Sequence, residues 1–232
     1  IPAYAKTERG SAFVMLLGAP RDLLAEAIPY SQLVFGRQKY ALIDALEDLD
    51  PLDRISPVLE ALGGKGRYGD LSVETPDSDD ARQLAGLAKA FGNALRPALR
   101  KRGMLTDKPN PKLPMLHVVF VRNNHLLLAS STSGDRSPWP MGIPRLKQDS
   151  RAPSRSAMKL DEALACLMTP AERMDLISEG MAAADLGASP GGWSWVLAKH
   201  HIRVTAIDNG PMHADALATG LIEHIRADGF HW

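Results

Sequence analysis

The sequence predicts an α/β chain in two parts: an α+β module in front, and behind it the first half of a nucleotide-binding α/β unit. Three observations carry this. Between Met181 and Asp208 an apolar run, a glycine-rich turn, a helical stretch and a second apolar run follow one another and end on an acid. Strand-like and helix-like segments alternate on both sides of a proline-rich join, Ser137-Pro138-Trp139-Pro140-Met141-Gly142-Ile143-Pro144. The chain has 232 residues, 45% of them hydrophobic, enough for two modest domains with cores of their own.

The elements follow in order. Residues 11–18 are apolar and read as a strand, and 22–27 as a helix stopped near Pro29. Residues 31–40 hold Leu33, Val34 and Phe35, which predict a second strand. Residues 53–62 look helical and close on Gly63-Gly64. Residues 71–75 alternate as a strand does. Ser78 opens a long amphipathic helix with Leu84, Leu87, Ala88, Phe91 and Leu95 at helical spacing, which Pro97 should kink or end. Pro109, Pro111 and Pro114 mark a loop. Residues 115–121 and 126–130 pair as a hairpin across Arg122-Asn123-Asn124-His125. This front half has too few glycine motifs or clustered acids to suggest a site of its own. His117 and His125 lie in or beside strands without a partner at ligand spacing, which points to structural roles.

In the rear half Cys166 lies in a helix among Leu164, Leu167 and Met168 and reads as a core cysteine. Met181 to Ala184 reads as a buried strand ending on Asp185. The turn Gly187-Ala188-Ser189-Pro190-Gly191-Gly192 comes next. Pro190 suits the first turn of a helix, and Gly191 and Gly192 let a ligand approach the backbone. The helix runs through Trp193, Val196 and Leu197, and its N-terminus is a ready anion site. A second strand, Val204 to Ile207, ends on Asp208. A third, Ile222 to Ala227, ends on Asp228.

Lys plus Arg and Asp plus Glu are both 27, so net charge gives no global support for nucleic-acid binding. The distribution is less even. Arg96, Arg100, Lys101, Arg102, Lys108 and Lys112 form one basic run; Arg145, Lys147, Arg151, Arg155 and Lys159 form another. No apolar run approaches the ~20 residues that span a membrane, and no signal peptide is visible. A single cysteine fits a reducing, cytoplasmic setting.

The string Asp185-Leu186-Gly187-Ala188-Ser189-Pro190-Gly191-Gly192-Trp193 departs from the G-x-G-x-x-G dinucleotide fingerprint, which argues against a nicotinamide-dependent oxidoreductase. It resembles motif I of class I S-adenosylmethionine (SAM) methyltransferases, in the form used by FtsJ-like RNA ribose 2′-O-methyltransferases. The stretches Pro140 to Lys147, Ala152 to Ala163, Asp208-Asn209-Gly210-Pro211-Met212 and Asp228-Gly229-Phe230 look like the bacterial ribosomal RNA large subunit methyltransferase M family. So, in the front half, do Pro29 to Gln38 and Asp53-Arg54-Ile55-Ser56-Pro57.

That resemblance implies a THUMP-like RNA-binding module over 1–136, joined to a ferredoxin-like fold, a Pro/Gly/basic linker over 137–153, and a Rossmann-like SAM-binding methyltransferase domain over 154–232. It implies both ends are incomplete: a first strand and helix before Ile1, and later strands carrying an aspartate and a second lysine after Trp232. The implied reaction is SAM-dependent methylation of a cytidine ribose 2′-hydroxyl in 23S rRNA or its precursor, with no metal and no obligate protein partner. Lys159 would sit at the reacting hydroxyl and Ser156 would donate to the SAM carboxylate. Ser189, Pro190, Gly191 and Gly192 would turn backbone toward the methionine end. Asp208 would accept from ribose hydroxyls and Asp228 from the adenine amino group. A non-catalytic RNA-binding fragment with a residual SAM fold remains the alternative. Read without the resemblance, Ser156 could be a helix cap, Lys159 a surface lysine paired with Asp161 or Glu162, and Asp228 a turn cap.

Overall fold

The computed structural model describes residues 3–7 and 9–231, apart from the side chains of Arg21 and Ala25. The chain divides into two units, 1–143 and 144–232.

In the first unit β1 (Tyr4–Thr7) and β2 (Val14–Leu17) make an antiparallel ribbon, and α1 (Arg21–Ala27) follows Pro20. The strand expected over 31–40 is absent. Tyr30–Gln32 forms one 3-10 turn, and Val34 and Phe35 stand 85% and 97% exposed. The strand comes later, as β3 (Ala41–Leu46), whose Ile43 and Leu46 pack against the unit's core. An apolar run becomes a strand only where a ladder partner and a core face coincide, and 33–35 meets neither.

α2 (Ile55–Ala61) is started by Asp53, whose Oδ1 accepts the Ile55 and Ser56 N–H groups at 3.1 and 3.0 Å. β4 (Asp70–Glu74) follows. The helix expected from Ser78 is broken in two, α3 (Asp79–Arg82), capped by the Ser78 hydroxyl, and α4 (Ala85–Lys101). Pro97 does not end α4. The carbonyl its ring leaves unpaired belongs to exposed Asn93, so water can satisfy it, while fully buried Leu95 and Leu99 hold the helix on either side.

β5 (Met115–Arg122) and β6 (His125–Ser131) form the expected hairpin, turning at Asn123-Asn124. The sheet order is β3-β6-β5-β4, antiparallel except for the β4–β5 pair. Leu116, Val118 and Phe120 alternate along β5 and join Leu126 and Leu128 of β6 in one apolar face. Phe91, Leu95 and Leu99 of α4 cover it, with Phe91 edge-on to Phe120 at 5.1 Å.

The opposite face carries a buried polar cluster. Glu74 accepts from the Tyr40 and Ser72 hydroxyls, and His117 Nε2 lies 2.7 Å from Ser131 Oγ. Burial alone would push the Glu74 carboxyl up. The His117 ring beside it, then Ser72 and Tyr40, outweigh that and hold it down to about 2. Burial, then the Glu74 charge, pushes the Tyr40 phenol far up.

The proline-rich join is shared out rather than free. Ser137 is buried and donates its N–H to Gln38 Oε1 at 2.9 Å, and Gly142 rests on the Arg37 carbonyl so closely that no side chain fits. Residues 137–143 thus pack on the first unit, whereas Ala152 packs into the core of the second.

The second unit holds α5 (Ser156–Cys166), α6 (Pro170–Leu176), β7 (Ala182–Leu186), α7 (Gly192–Lys199), β8 (Arg203–Ile207), α8 (Ala214–Leu217) and β9 (Ile222–Ile225). Thr169 and Glu172 form a reciprocal capping box on α6. The three strands are parallel in the order β7-β8-β9. Among the described residues β7 pairs with β8 alone, and Leu186 is 58% exposed where the composition of β7 predicts a buried strand. Cys166 is exposed rather than core. It lies two residues, about 200° of helix turn, from buried Leu164. Among the described residues no helix is long and apolar enough to cross a membrane.

Candidate functional site

The carboxyl ends of β7, β8 and β9 carry the site, as parallel sheets generally arrange it. At the end of β7 Gly187 takes φ +81, and the space its missing side chain would occupy is open to 4 Å. The N–H groups of Gly187 and Ala188 both go to the Ile207 carbonyl, at 2.9 and 3.3 Å, which ties the turn to the end of β8. Asp208 then clasps two loops. Its Oδ2 accepts the Ser189 N–H at 3.0 Å and its Oδ1 the Gly210 N–H at 2.7 Å. These two bonds, Gly210's first, hold its carboxyl below the usual range. The Ser189 hydroxyl donates to the Pro211 carbonyl at 2.8 Å, and His224 Nε2 lies 2.9 Å from the Asp208 carbonyl.

The turn differs from its expected form. α7 starts at Gly192, behind Gly191 at φ +103, so Pro190 stands outside the helix, across a cis Ser189–Pro190 peptide. Ser189 gives its N–H to Asp208, Pro190 has none, and Gly191 donates to the Ala188 carbonyl at 2.6 Å. The N–H groups that remain without an acceptor among the described residues are those of Gly192 and Trp193, while Ser194 donates to Asp185 at 3.0 Å. Gly191 and Gly192 make room for protein, not for open space. A Cβ on Gly191 would lie 2.6 Å from Met212 Cε, and one on Gly192 would strike the hydroxyls of Ser154 and Ser156. Gly187 is the glycine that opens outward.

Asp185 holds the fold together through one oxygen. Its Oδ2 takes both the N–H and the hydroxyl of buried Ser194, at 3.0 and 2.7 Å, anchoring the first turn of α7. Ser156 is the first residue of α5 and is half-buried. Its Oγ lies 2.6 Å from Ser154 Oγ, and its N–H donates to Ser154 at 3.3 Å. Ser154, not Ser156, therefore caps this helix start, and sequence reasoning missed it. The S-x-S spacing ahead of a helix was the available signal. The Trp193 indole N–H donates to the Ser156 carbonyl at 3.1 Å, joining α5 to α7. Trp195 is buried, with Lys199 Nζ 4.4 Å from its ring centroid.

Lys159, three residues past Ser156 on α5, is exposed and forms no ion pair with Asp161 or Glu162. Asp228 lies three residues past the end of β9. It accepts the Phe230 N–H at 2.9 Å, which is the turn-capping role. Of the second basic run, Arg151 is held by Asp149, whose Oδ2 lies 3.2 Å from Nη2. Of the first, Arg96 pairs with Asp70 at 2.6 Å and Arg100 donates to the carbonyls of Thr106 and Asp107.

Comparison with known proteins gives two family matches. Residues 53–132 match the N-terminal part of ribosomal RNA large subunit methyltransferase M, and residues 152–228 match the FtsJ-like methyltransferase family. The ribosomal RNA large subunit methyltransferase M of Xanthomonas campestris pv. campestris (strain B100) is 56% identical over 232 residues, all of this chain and 67% of that protein. The protein of the same name from Xanthomonas oryzae pv. oryzae (strain KACC10331 / KXO85) is likewise 56% identical over the same span. Among solved structures, TrmN from Thermus thermophilus covers 82% of this chain and 57% of its own, at 17% identity and a TM-score of 0.30, a likeness too slight to argue from.

Proposed function

Because this chain belongs to the ribosomal RNA large subunit methyltransferase M family, we propose that its second unit binds SAM and serves methyl transfer to a ribose 2′-hydroxyl of a cytidine in 23S rRNA. The first unit is then the RNA-binding module, and the reaction belongs to the cytoplasm. The observation that carries the reading is the cradle at the carboxyl ends of β7 and β8: an outward-facing Gly187, two unused N–H groups at the start of α7, and a carboxylate at Asp208.

These residues fit the donor. The N–H groups of Gly192 and Trp193 suit its carboxylate, at the positive end of α7. Ser156 adds a hydroxyl, because Ser154 can donate into the Ser154–Ser156 bond and leave the Ser156 proton to give. Asp208 accepts two N–H groups, and a carboxylate has about four acceptor sites, so two remain for ribose hydroxyls. Asp228 Oδ1 accepts from Phe230, and Oδ2, which lies 3.8 Å from His231 Nε2 without a hydrogen bond, is the oxygen for the adenine amino group. When bound, SAM supplies an electrophilic methyl group on a sulfonium.

The chain's own share is orientation and charge. Lys159, exposed and unpaired among the described residues, can hold the acceptor hydroxyl and stabilise the negative charge that grows on its oxygen. Trp193 fixes the α5 start against α7, so the residue that orients the acceptor and those that hold the donor share one rigid joint. In the 144–153 stretch Arg145 and Lys147 are the cations left to meet phosphates, since Arg151 is spent on Asp149.

Titration calorimetry with SAM and with NAD tests the reading. Heat with SAM and none with NAD is expected; NAD binding without SAM heat would overturn it.

A further inference from the structure

A cleft of about 450 Å³ opens among Leu42, Ile43, Lys65, Gly66, Arg67, Pro114 and Ser130. It draws its walls from β3, from β6 and from the loop before β4, so no single stretch of sequence announces it. No acid lines it. Lys65 and Arg67 are exposed, and among the described residues neither side chain forms an ion pair or a hydrogen bond. Gly64 and Gly66 take φ +73 and +105, with nothing within 4 Å of where a side chain would be, so the backbone between the two cations is bare.

The loop packing adds charge. Tyr68 donates its N–H to the Met104 carbonyl and its carbonyl accepts from Thr106, while Gly69 donates its N–H to the Pro114 carbonyl and accepts from Asn110. The segment 63–69 is thereby laid along 104–114. The end of α4 and the stretch that follows it in sequence carry Lys101, Arg102, Lys108 and Lys112, with Asp107 among them; the four cations are exposed and unpaired among the described residues. Lys101, in the last turn of α4, also complements the helix's carbonyl end, so it is partly accounted for. No such account covers Lys65 and Arg67. Unpaired cations around an acid-free cleft with exposed glycine backbone suit phosphate oxygens.

We propose that the cleft between Lys65-Gly66-Arg67 and Pro114/Ser130 is a phosphate-binding site that holds the sugar–phosphate backbone of RNA. This rests on the RNA-modifying reading above only for the identity of the polyanion. Each cation that neutralises a phosphate releases counterions, so binding must weaken with salt in proportion to the number of such contacts.

The test is fluorescence anisotropy of a fluorescein-labelled RNA hairpin against salt, with the whole chain. Lys65→Gln and Arg67→Gln should each lower the log–log salt slope by about one, and the double variant by about two. Lys89→Gln, on the exposed face of α4, should leave it unchanged. Circular dichroism melts of the same variants separate lost binding from lost folding. An unchanged slope in the double variant would overturn the site. So would vesicles rich in phosphatidylserine losing affinity on the double substitution while RNA does not, because the cleft would then face a membrane surface. SAM calorimetry on the double variant keeps the two readings apart: normal SAM heat with an unchanged RNA slope removes the cleft alone.

Discussion

The two units hold themselves together differently. The first rests on apolar burial: Leu95, Leu99, Leu116, Val118, Phe120, Leu126 and Leu128 are all at or near zero exposure in one continuous core. The second has, among the described residues, a smaller core around Ala157, Leu164, Trp195, Val196 and Ala216. Hydrogen bonds between elements add to it: Asp208 joins two loops, Asp185 ties β7 to α7, and Trp193 ties α7 to α5. Burial fixes a platform and tolerates no cavity. A hydrogen-bonded rim fixes donors and acceptors while leaving groups open to a ligand. The catalytic half of such a chain should therefore lose function before it loses its fold, and the front half the reverse.

The largest effect expected is Phe120→Ala. It removes a fully buried ring that meets Phe91 edge-on, and should cost about 3–5 kcal/mol in urea unfolding of the chain. SAM heat in the fraction that stays folded should be unchanged. A loss below about 1 kcal/mol would break the contrast, since the core would then be adaptable rather than close-packed.

Next is Lys159→Ala, measured by tritiated methyl incorporation into undermethylated 23S rRNA with the full-length protein. Turnover should fall about 100-fold or more, near 2.7 kcal/mol of transition-state stabilisation, while SAM affinity and melting temperature hold. Lys159 is exposed and has no partner among the described residues, so it has little stability to give. Near-normal turnover would return Lys159 to the surface and leave acceptor orientation to other groups.

The smallest effect sharpens the contrast from inside the first unit, where one polar cluster is buried. Glu74 titrates at about 2 in the fold against 4.5 ordinarily, so it is a carboxyl whose folded value is depressed. Its contribution is complete above about pH 4.5 and is lost as pH falls through about 2. Glu74→Gln should cost about 1–3 kcal/mol at neutral pH, since it weakens the acceptor for two buried hydroxyls. It should also flatten the acid limb of stability between those two values. An acid limb identical to the parent's would mean that other carboxylates carry it.

Much of the fold was legible in the sequence, and for local reasons. The hairpin over 115–131 follows from two alternating runs around a two-residue turn. The βαβ unit around Gly187 to Asp208 follows from glycine, proline and acid at fixed short spacings. Boundaries slipped where a local signal competed with packing. Val34 and Phe35 looked like a strand and are solvent-exposed; Pro97 looked like a stop and sits within α4.

The sequence by itself determined that a carboxylate would end the strand after the glycine turn, because that order lies within about twenty-five residues and depends on backbone freedom and apolar period alone. The tertiary structure decided which glycine opens outward. Met212 and Ala216 fill the space at Gly191, and Ser154 and Ser156 fill it at Gly192, leaving Gly187 bare. It also decided that Ser154 caps Ser156 against α7, that Glu74, His117 and Ser131 meet from three strands, and that Lys65 and Arg67 flank a cleft with Pro114 and Ser130. Each of these is a meeting of side chains set by strand pairing and helix docking across dozens of residues. Periodicity marks which face a residue lies on; only the closed sheet marks what it faces.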